Sequence, residues 1–299
     1  ALTPHAITDI HGPPWTLQNA LYVIWGKAAG YAVVFVALWA FFVAVLRGAG
    51  CGETICGARR GTWALKLAML VHHTVITPLA FIGIFEDPVI LEMYRCFGCP
   101  AAAVQMNRAA AAPLATRALT PVTLGYFIGD LLLLSQWSLT RSGAVENALM
   151  IFHHVASLIV WPAAAYFDYL GRYIIIMLSF ELSGIWLVLM WIFSTAGLKK
   201  SPAYMAVGLL FTLSFVLWRL VGAVPQLLAL YNAPPWTNEQ ETLAGGPGGI
   251  HAWCWIFSYS LVAPHVLNFF WGAKVIHGFL SLVLGGGKKK DGKKDKKAQ

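Results

Sequence analysis

The stretch YIIIMLSFELSGIWLVLMWIFSTA, residues 173–196, carries one ionisable side chain, Glu181, in the middle of an otherwise apolar run. The hydrocarbon core of a bilayer takes about 20 residues of apolar α-helix, so its length fits one crossing. A carboxylate at that depth is costly against lipid. The run therefore predicts a transmembrane helix that turns Glu181 toward other helices. Six further apolar runs flank it, at 17–46, 63–85, 121–139, 144–167, 204–231 and 252–284. The fold class expected is all-α transmembrane with about seven spans. Pro78 and Pro264 predict a soft break and a kink, and Thr120-Pro121 reads as an N-cap and first-turn pair opening the third run.

Composition agrees. Of 299 residues, 58% are hydrophobic and 11% are charged, and the mean hydropathy is +0.66. Soluble domains carry about 25% charged residues, so this chain cannot clothe a water-facing surface. The net charge of +8 is concentrated at the C-terminus, where seven lysines lie within residues 288–297. That tail follows an apolar run and suits anionic lipid headgroups; nucleic acid is excluded as a partner. No basic segment precedes an apolar one at the N-terminus, so no signal peptide is expected.

Seven spans put the two ends on opposite sides. Arg47, Arg59, Arg60, Arg141, Lys199, Lys200 and the lysine tail fall on one side. Arg95, Arg108, Arg117 and Arg172 fall on the other, diluted by acids that include Asp87 and Asp168. The positive-inside bias expects a cytosolic C-terminus and a luminal N-terminus. The longer luminal loops are 86–117 and 232–250. The resulting organisation is a luminal segment 1–16, an extra span and cytosolic loop 17–60, a helical domain 61–284 and a disordered basic tail 285–299.

Ionisable residues at bilayer depth usually face the bundle interior and mark function. They are His72, His73, Asp130, His153, His154, Glu181, Arg219, His265 and Lys274, joined by the polar Asn268. Tyr126 and Asp130 are four apart and share a helix face; Asp130 is either a base or histidine orienter, or a salt-bridge partner of Arg219 or Lys274. Adjacent residues differ by about 100° around a helix, so one of His153 and His154 is expected to face a cavity and the other a neighbouring helix. Glu181 returns to the depth of His154, where carboxylate and imidazole can pair. The alternative partner for Glu181 is Arg219, which otherwise would hold a lipid phosphate or carboxylate. Asn268 and Trp271 share a face of the last helix. No His-x3-His spacing occurs, so no metal and no bound cofactor are expected. Cys96-x-x-Cys99, in a luminal loop, permits a disulfide.

Three stretches together, Gly125-Tyr-Phe-Ile-Gly-Asp130, Ile151-Phe-His-His154 and Phe180-Glu-Leu-Ser183, resemble successive motifs of the TLC-domain family. Leu267-Asn-Phe-Phe-Trp271, followed by Lys274 and the lysine tail, is similar to that family's last helix. The likeness implies a six-helix TLC-type bundle around a central cavity, preceded by one N-terminal helix. It further implies that Asp130, His153, His154 and Glu181 line the cavity. Ceramide synthases of the family carry additional acids after the histidines, where residues 163–180 offer only Asp168. The chain therefore looks nearer to the TLC domain-containing subgroup.

Three functions follow as expectations. The first is acyl transfer from fatty acyl-CoA to a lipid or sphingoid amine, with His153 or His154 as base and Asp130 or Glu181 as orienter. The second is a non-catalytic lipid binder, transporter or sensor, with Tyr126, Arg219, Asn268, Trp271, His72 and His73 contacting lipid. The third is a structural subunit of a larger assembly, with protein partners or further copies of itself. Lys296-Lys297-Ala-Gln299 is similar to a dilysine retrieval signal, which points to the endoplasmic reticulum ahead of other organelle membranes.

Overall fold

The structure, a computed structural model, describes residues 17–106, 114–137, 144–166, 171–232 and 251–284. The N-terminal segment 1–16, most of the loop 232–250 and the lysine tail lie outside the described residues. The described residues are helical almost throughout. Its helices are α1 (Leu17–Gly48), α2 (Arg60–Glu86), α3 (Pro88–Arg95), α4 (Pro100–Met106), α5 (Leu114–Leu132) and α6 (Ala144–Tyr166). After them come α7 (Gly171–Ser179), α8 (Glu181–Thr195), α9 (Pro202–Ser214), a π-helical segment Phe215–Val221, α10 (Val224–Asn232) and α11 (His251–Leu284).

Among the described residues, five helical stretches are long and apolar enough to cross a bilayer: 24–48, 60–86, 144–162, 171–195 and 202–232. The apolar part of α5, Ala118–Leu132, is shorter. In α11 the residues His265, Asn268, Lys274 and His277 dilute a 34-residue helix. The seven apolar runs thus correspond to seven helical stretches, two of which are broken internally.

Local chemistry sets the boundaries. Between α1 and α2, a two-stranded hairpin pairs Thr54 with Arg59 and Ile55 with Ala58. Its turn residues Cys56 and Gly57 both have positive φ, as a two-residue hairpin turn of this hand requires. Ser201 caps α9 by accepting from the Tyr204 N–H at 3.1 Å, with Pro202 at the first turn. The expected cap at Thr120-Pro121 is corrected. Helix α5 begins seven residues earlier, at Leu114, and Pro121 lies inside it. Thr120 Oγ1 donates back to the Thr116 carbonyl at 2.7 Å instead.

The sequence after residue 86 folds into α3 and α4. Asp87 caps α3 through Oδ1, which accepts from Val89 and Ile90 N–H. Its Oδ2 accepts from Arg172 Nε at 2.8 Å, and Arg172 also donates to the Gln105 carbonyl. This buried pair ties the short helices to α7. Cys96 and Cys99 are joined as a disulfide. The tight turn between them places Gly98 at positive φ against Pro225 of α10, and Asn232 Nδ2 donates to the Gly98 carbonyl at 2.7 Å.

The most extensive helix contact is between α1 and α5. Gly125 and Gly129 face α1 with no room to spare. A Cβ at Gly125 would lie 2.7 Å from the Ala28 carbonyl oxygen and 2.8 Å from the Ala32 nitrogen, and one at Gly129 would lie 2.6 Å from Phe35 Cδ1. Small residues spaced by four let two backbones approach closely, the usual way helices associate in lipid. We predict that Gly125→Leu destabilises the protein by about 2 kcal/mol or more, read as a lower thermal unfolding midpoint in detergent. An unchanged midpoint would show that α1 is not packed this way.

Candidate functional site

The glycines that face α1 fix what faces inward. Tyr126 and Asp130 follow Gly125 and Gly129 by one residue, about 100° round the helix, and both line an interior cavity of about 1050 Å³. The shared face expected of the two is therefore present. The cavity is bounded by α2, α5, α6, the α7–α8 pair, α9 with its π-helical segment, and α11. Its walls carry His73, His153, His154, Glu181, Arg219, Asn268 and Trp271 as well. His72 is behind the wall, stacked on the Tyr126 ring at 4.1 Å between centroids.

The register of α2 against α8 builds the first pair. Trp63 and Trp191 meet edge to face at 5.1 Å. Ten residues further in along each antiparallel helix, His73 Nδ1 lies 2.7 Å from Glu181 Oε2. At 1.5 Å per residue this pair is about 20 Å from the Arg60 end of α2. Gly184 makes the approach possible, since a Cβ there would lie 3.0 Å from Glu181 Oε2 and 3.1 Å from the His73 ring. The expectation that Glu181 pairs with an imidazole holds, with a different partner. It is His73 and not His153 or His154, because α2, not α6, packs along the Glu181 face of α8.

The second pair joins α5 to α6. His154 Nδ1 lies 3.7 Å from Asp130 Oδ2, and both side chains are 3% exposed, so neither is solvated from outside. Trp137 Nε1 donates to Asp130 Oδ1 at 3.1 Å. Phe127 packs under the histidines, at 4.5 Å from the His154 ring and 5.6 Å from His153. Both His153 and His154 border the cavity, contrary to the expected division between cavity and neighbouring helix. The space is wide enough to be reached from two directions of one helix.

Arg219 pairs with neither Asp130 nor Glu181, which corrects both expected salt bridges. Its Nε and Nη2 donate to the Phe180 carbonyl at 3.0 and 2.8 Å, and its Nη1 donates to Asn268 Oδ1 at 3.3 Å. That carbonyl is accessible because the helix is interrupted between α7 and α8. Phe180 N–H turns to the Met177 carbonyl, the Ser179 hydroxyl donates to the Ile176 carbonyl, and the Ser183 hydroxyl and N–H share the Phe180 carbonyl with Arg219. Serine hydroxyls that back-bond in this way compete with the helix ladder. On the opposite side, the π-helical segment aims Trp218 and Arg219 at the break, with Trp218 Nε1 donating to Ser179 Oγ at 2.8 Å. Lys274 is likewise unavailable to Asp130, as its ammonium pairs with Glu146 across the α6–α11 seam.

Sequence reasoning overlooked Lys66 and Trp137. Lys66 lies a turn and a half inside α2 and lines the cavity. A lysine so near the end of an apolar run looks like an interfacial residue, and only the neighbouring helices show that it points inward. The close-packing pattern Gly125-x3-Gly129 was present in the sequence and would have indicated which face of α5 is closed. Among the described residues no group of three or more His, Cys, Asp or Glu could hold a metal ion.

A family model described as TLC domain matches residues 62–277. No curated protein and no solved structure matches the chain.

Two stability tests follow. Arg219→Met removes the guanidinium bonds to the Phe180 carbonyl and to the buried Asn268 Oδ1 and should cost about 1–3 kcal/mol, visible as a lower unfolding midpoint. Gly184→Ala inserts a methyl group against the His73–Glu181 contact. It should shift the His73 imidazole NMR resonances, and an unchanged spectrum would argue against the close approach.

Proposed function

The chain belongs to the TLC-domain family, a family of lipid-related membrane proteins, and from that premise we propose that it transfers an acyl group to a lipid or long-chain amine inside its cavity. The observation that carries this reading is the convergence of two imidazole–carboxylate pairs, His73–Glu181 and His154–Asp130, from four different helical stretches on one space. Separate neutralisation of each group would need no cavity between them. The size of the space, about 1050 Å³, is at the upper end of small-molecule sites, which are typically about 300–1,000 Å³.

The chemistry needs a base, an oriented carbonyl and a donor for developing negative charge. His73, held by Glu181 at 2.7 Å, takes the proton from the acceptor amine or hydroxyl as that atom attacks the thioester carbon of an acyl-CoA. Tyr126 lines the same space, its ring stacked on His72, and in this reading its hydroxyl donates to the carbonyl oxygen of the tetrahedral intermediate. When the carbon–sulfur bond breaks, the imidazolium returns its proton to the CoA sulfur. His153 and His154, with Asp130 behind the latter, supply the opposite wall and the second proton-accepting position.

The apolar wall of α9 and α11, with Leu209, Phe211 and Phe279 on the cavity, favours a fatty chain as the occupant. The same wall supports the second reading, a protein that seats a lipid without turning it over. In the acyl-transfer reading, CoA approaches from the basic side of the membrane, which we assign to the cytosol of the endoplasmic reticulum on the charge distribution of the loops.

Purified full-length protein in nanodiscs, supplied with fatty acyl-CoA and a long-chain amine, should form amide. His73→Ala and Glu181→Gln should lower kcat by about 10²–10⁴-fold, as should the double change His153→Ala/His154→Ala. Full turnover in all three variants ends the assignment. Amide formation absent in the wild type, with a lipid retained through purification, favours the non-catalytic reading. Orientation is checked by protease digestion of sealed microsomes. A C-terminal tag that survives would place the C-terminus in the lumen and reverse the proposal.

A further inference from the structure

Among the described residues three cations border the cavity: Lys66, Arg219 and Lys274. Two of them are committed. Arg219 is spent on the Phe180 carbonyl and Asn268. Lys274 pairs with Glu146 and lies over the Phe270 ring at 4.5 Å. Among the described residues the ammonium of Lys66 has one hydrogen-bond partner, the Met69 sulfur at 3.5 Å, and a thioether is a weak acceptor. Among the described residues no carboxylate lies within ion-pair distance of it. Asp130 faces the same space and acts on Lys66 electrostatically, but its oxygens are engaged by Trp137 and approached by His154.

Lys66 is half-buried, enclosed by protein yet open to the cavity. A cation placed inside a bundle without a close anion or carbonyl is costly. Its strongly hydrated ammonium offers three donors, and the open direction is the cavity. We propose that Lys66 is the seat of an anionic phosphate group carried by the molecule that fills the cavity.

The position suits an amphiphile. Lys66 is about 9 Å from the Arg60 end of α2 at 1.5 Å per residue, below the level where the span begins. His73 is about 10 Å deeper on the same helix. An amphiphile with its phosphate on Lys66 therefore extends its chain along the apolar walls toward the imidazole pairs. This placement deepens the acyl-transfer reading, because it sets where the charged end of a reactant rests. The phosphate itself stands on Lys66 alone and does not need turnover. Its source is either a lipid headgroup or the phosphate of a soluble molecule.

Full-length protein in phosphatidylcholine nanodiscs doped with phosphatidic acid, analysed by native mass spectrometry without acyl-CoA, tests the seat. The wild type should retain phosphatidic acid in preference to phosphatidylcholine. Lys66→Gln should reduce that retention about tenfold or more, while Lys66→Arg keeps it. An unchanged melting temperature and unchanged phosphatidylcholine retention establish that Lys66→Gln is folded; Lys66→Met serves as a second neutral variant. Inorganic phosphate is the competing probe. Displacement of the lipid in the wild type supports the seat and assigns it to a soluble phosphate, and failure to displace assigns it to the lipid. Equal retention in wild type, Lys66→Gln and Lys66→Met overturns the proposal, as does a wild type that retains no phosphatidic acid and gains no thermal stability from inorganic phosphate. Because retention is read without chemistry, a wild type that binds phosphatidic acid but forms no amide sinks the acyl-transfer reading and leaves the seat standing.

Discussion

Hydrocarbon cannot solvate a carboxylate, an imidazole or a guanidinium, and that constraint organises the interior of this protein. Glu181 is met by His73, Asp130 by Trp137 and His154, and Arg219 by a backbone carbonyl and Asn268. The Glu181 and Arg219 contacts and the approach of His154 to Asp130 join different helical stretches, while the Trp137–Asp130 bond closes back within one. Between helices in lipid there is little hydrophobic drive to associate, because lipid tails are as apolar as leucine. Polar tethers and close backbone packing must hold the bundle instead. The Gly125-x3-Gly129 face against Ala28 and Ala32 supplies the packing, and the buried pairs supply the tethers.

The tethers also explain two departures from regular helix. The interruption at Phe180 leaves irregular backbone at membrane depth, which is tolerable only where protein groups satisfy it. The Phe180 carbonyl accepts from Ser183 and from Arg219, and the π-helical segment that carries Arg219 supplies the reach. π-Helical segments of this kind are often found at functional sites. Here the segment and the break lock together through Trp218 and Ser179 as well, so Glu181 is presented from a fixed helix start and not from a sliding one.

The two ends of the bundle differ in character. At the end that carries α3 and α4, the buried Asp87–Arg172 pair, the disulfide and the Asn232–Gly98 contact close the structure. At the opposite end, ion pairing is exposed at Lys274–Glu146 and Lys66 stands open to the cavity. The polar content of the cavity is therefore not uniform. It holds imidazole–carboxylate pairs at depth, an uncommitted cation nearer the Arg60 end, and apolar walls along α9 and α11.

The seven apolar runs, most of the interior ionisable residues, the shared face of Tyr126 and Asp130 and the family likeness were legible from the sequence, because each depends on local composition, helical period or motif order; Lys66 was missed, and Lys274, read as interior, is half exposed. Helix α5 was legible in existence but not in its start, since Pro121 reads equally as an opening residue or as one inside a longer helix. The partners were not legible. His73 meets Glu181 because Trp63 abuts Trp191 and sets the register of two antiparallel helices far apart in the chain. Arg219 meets a carbonyl because a helix breaks opposite it, and Lys66 faces inward because of how α2 is rotated among its neighbours. A sequence states which groups must find a partner, since burial cost is a property of the residue; which partner each one finds depends on the rotation and register of whole helices, and those are fixed only when every helix is packed at once.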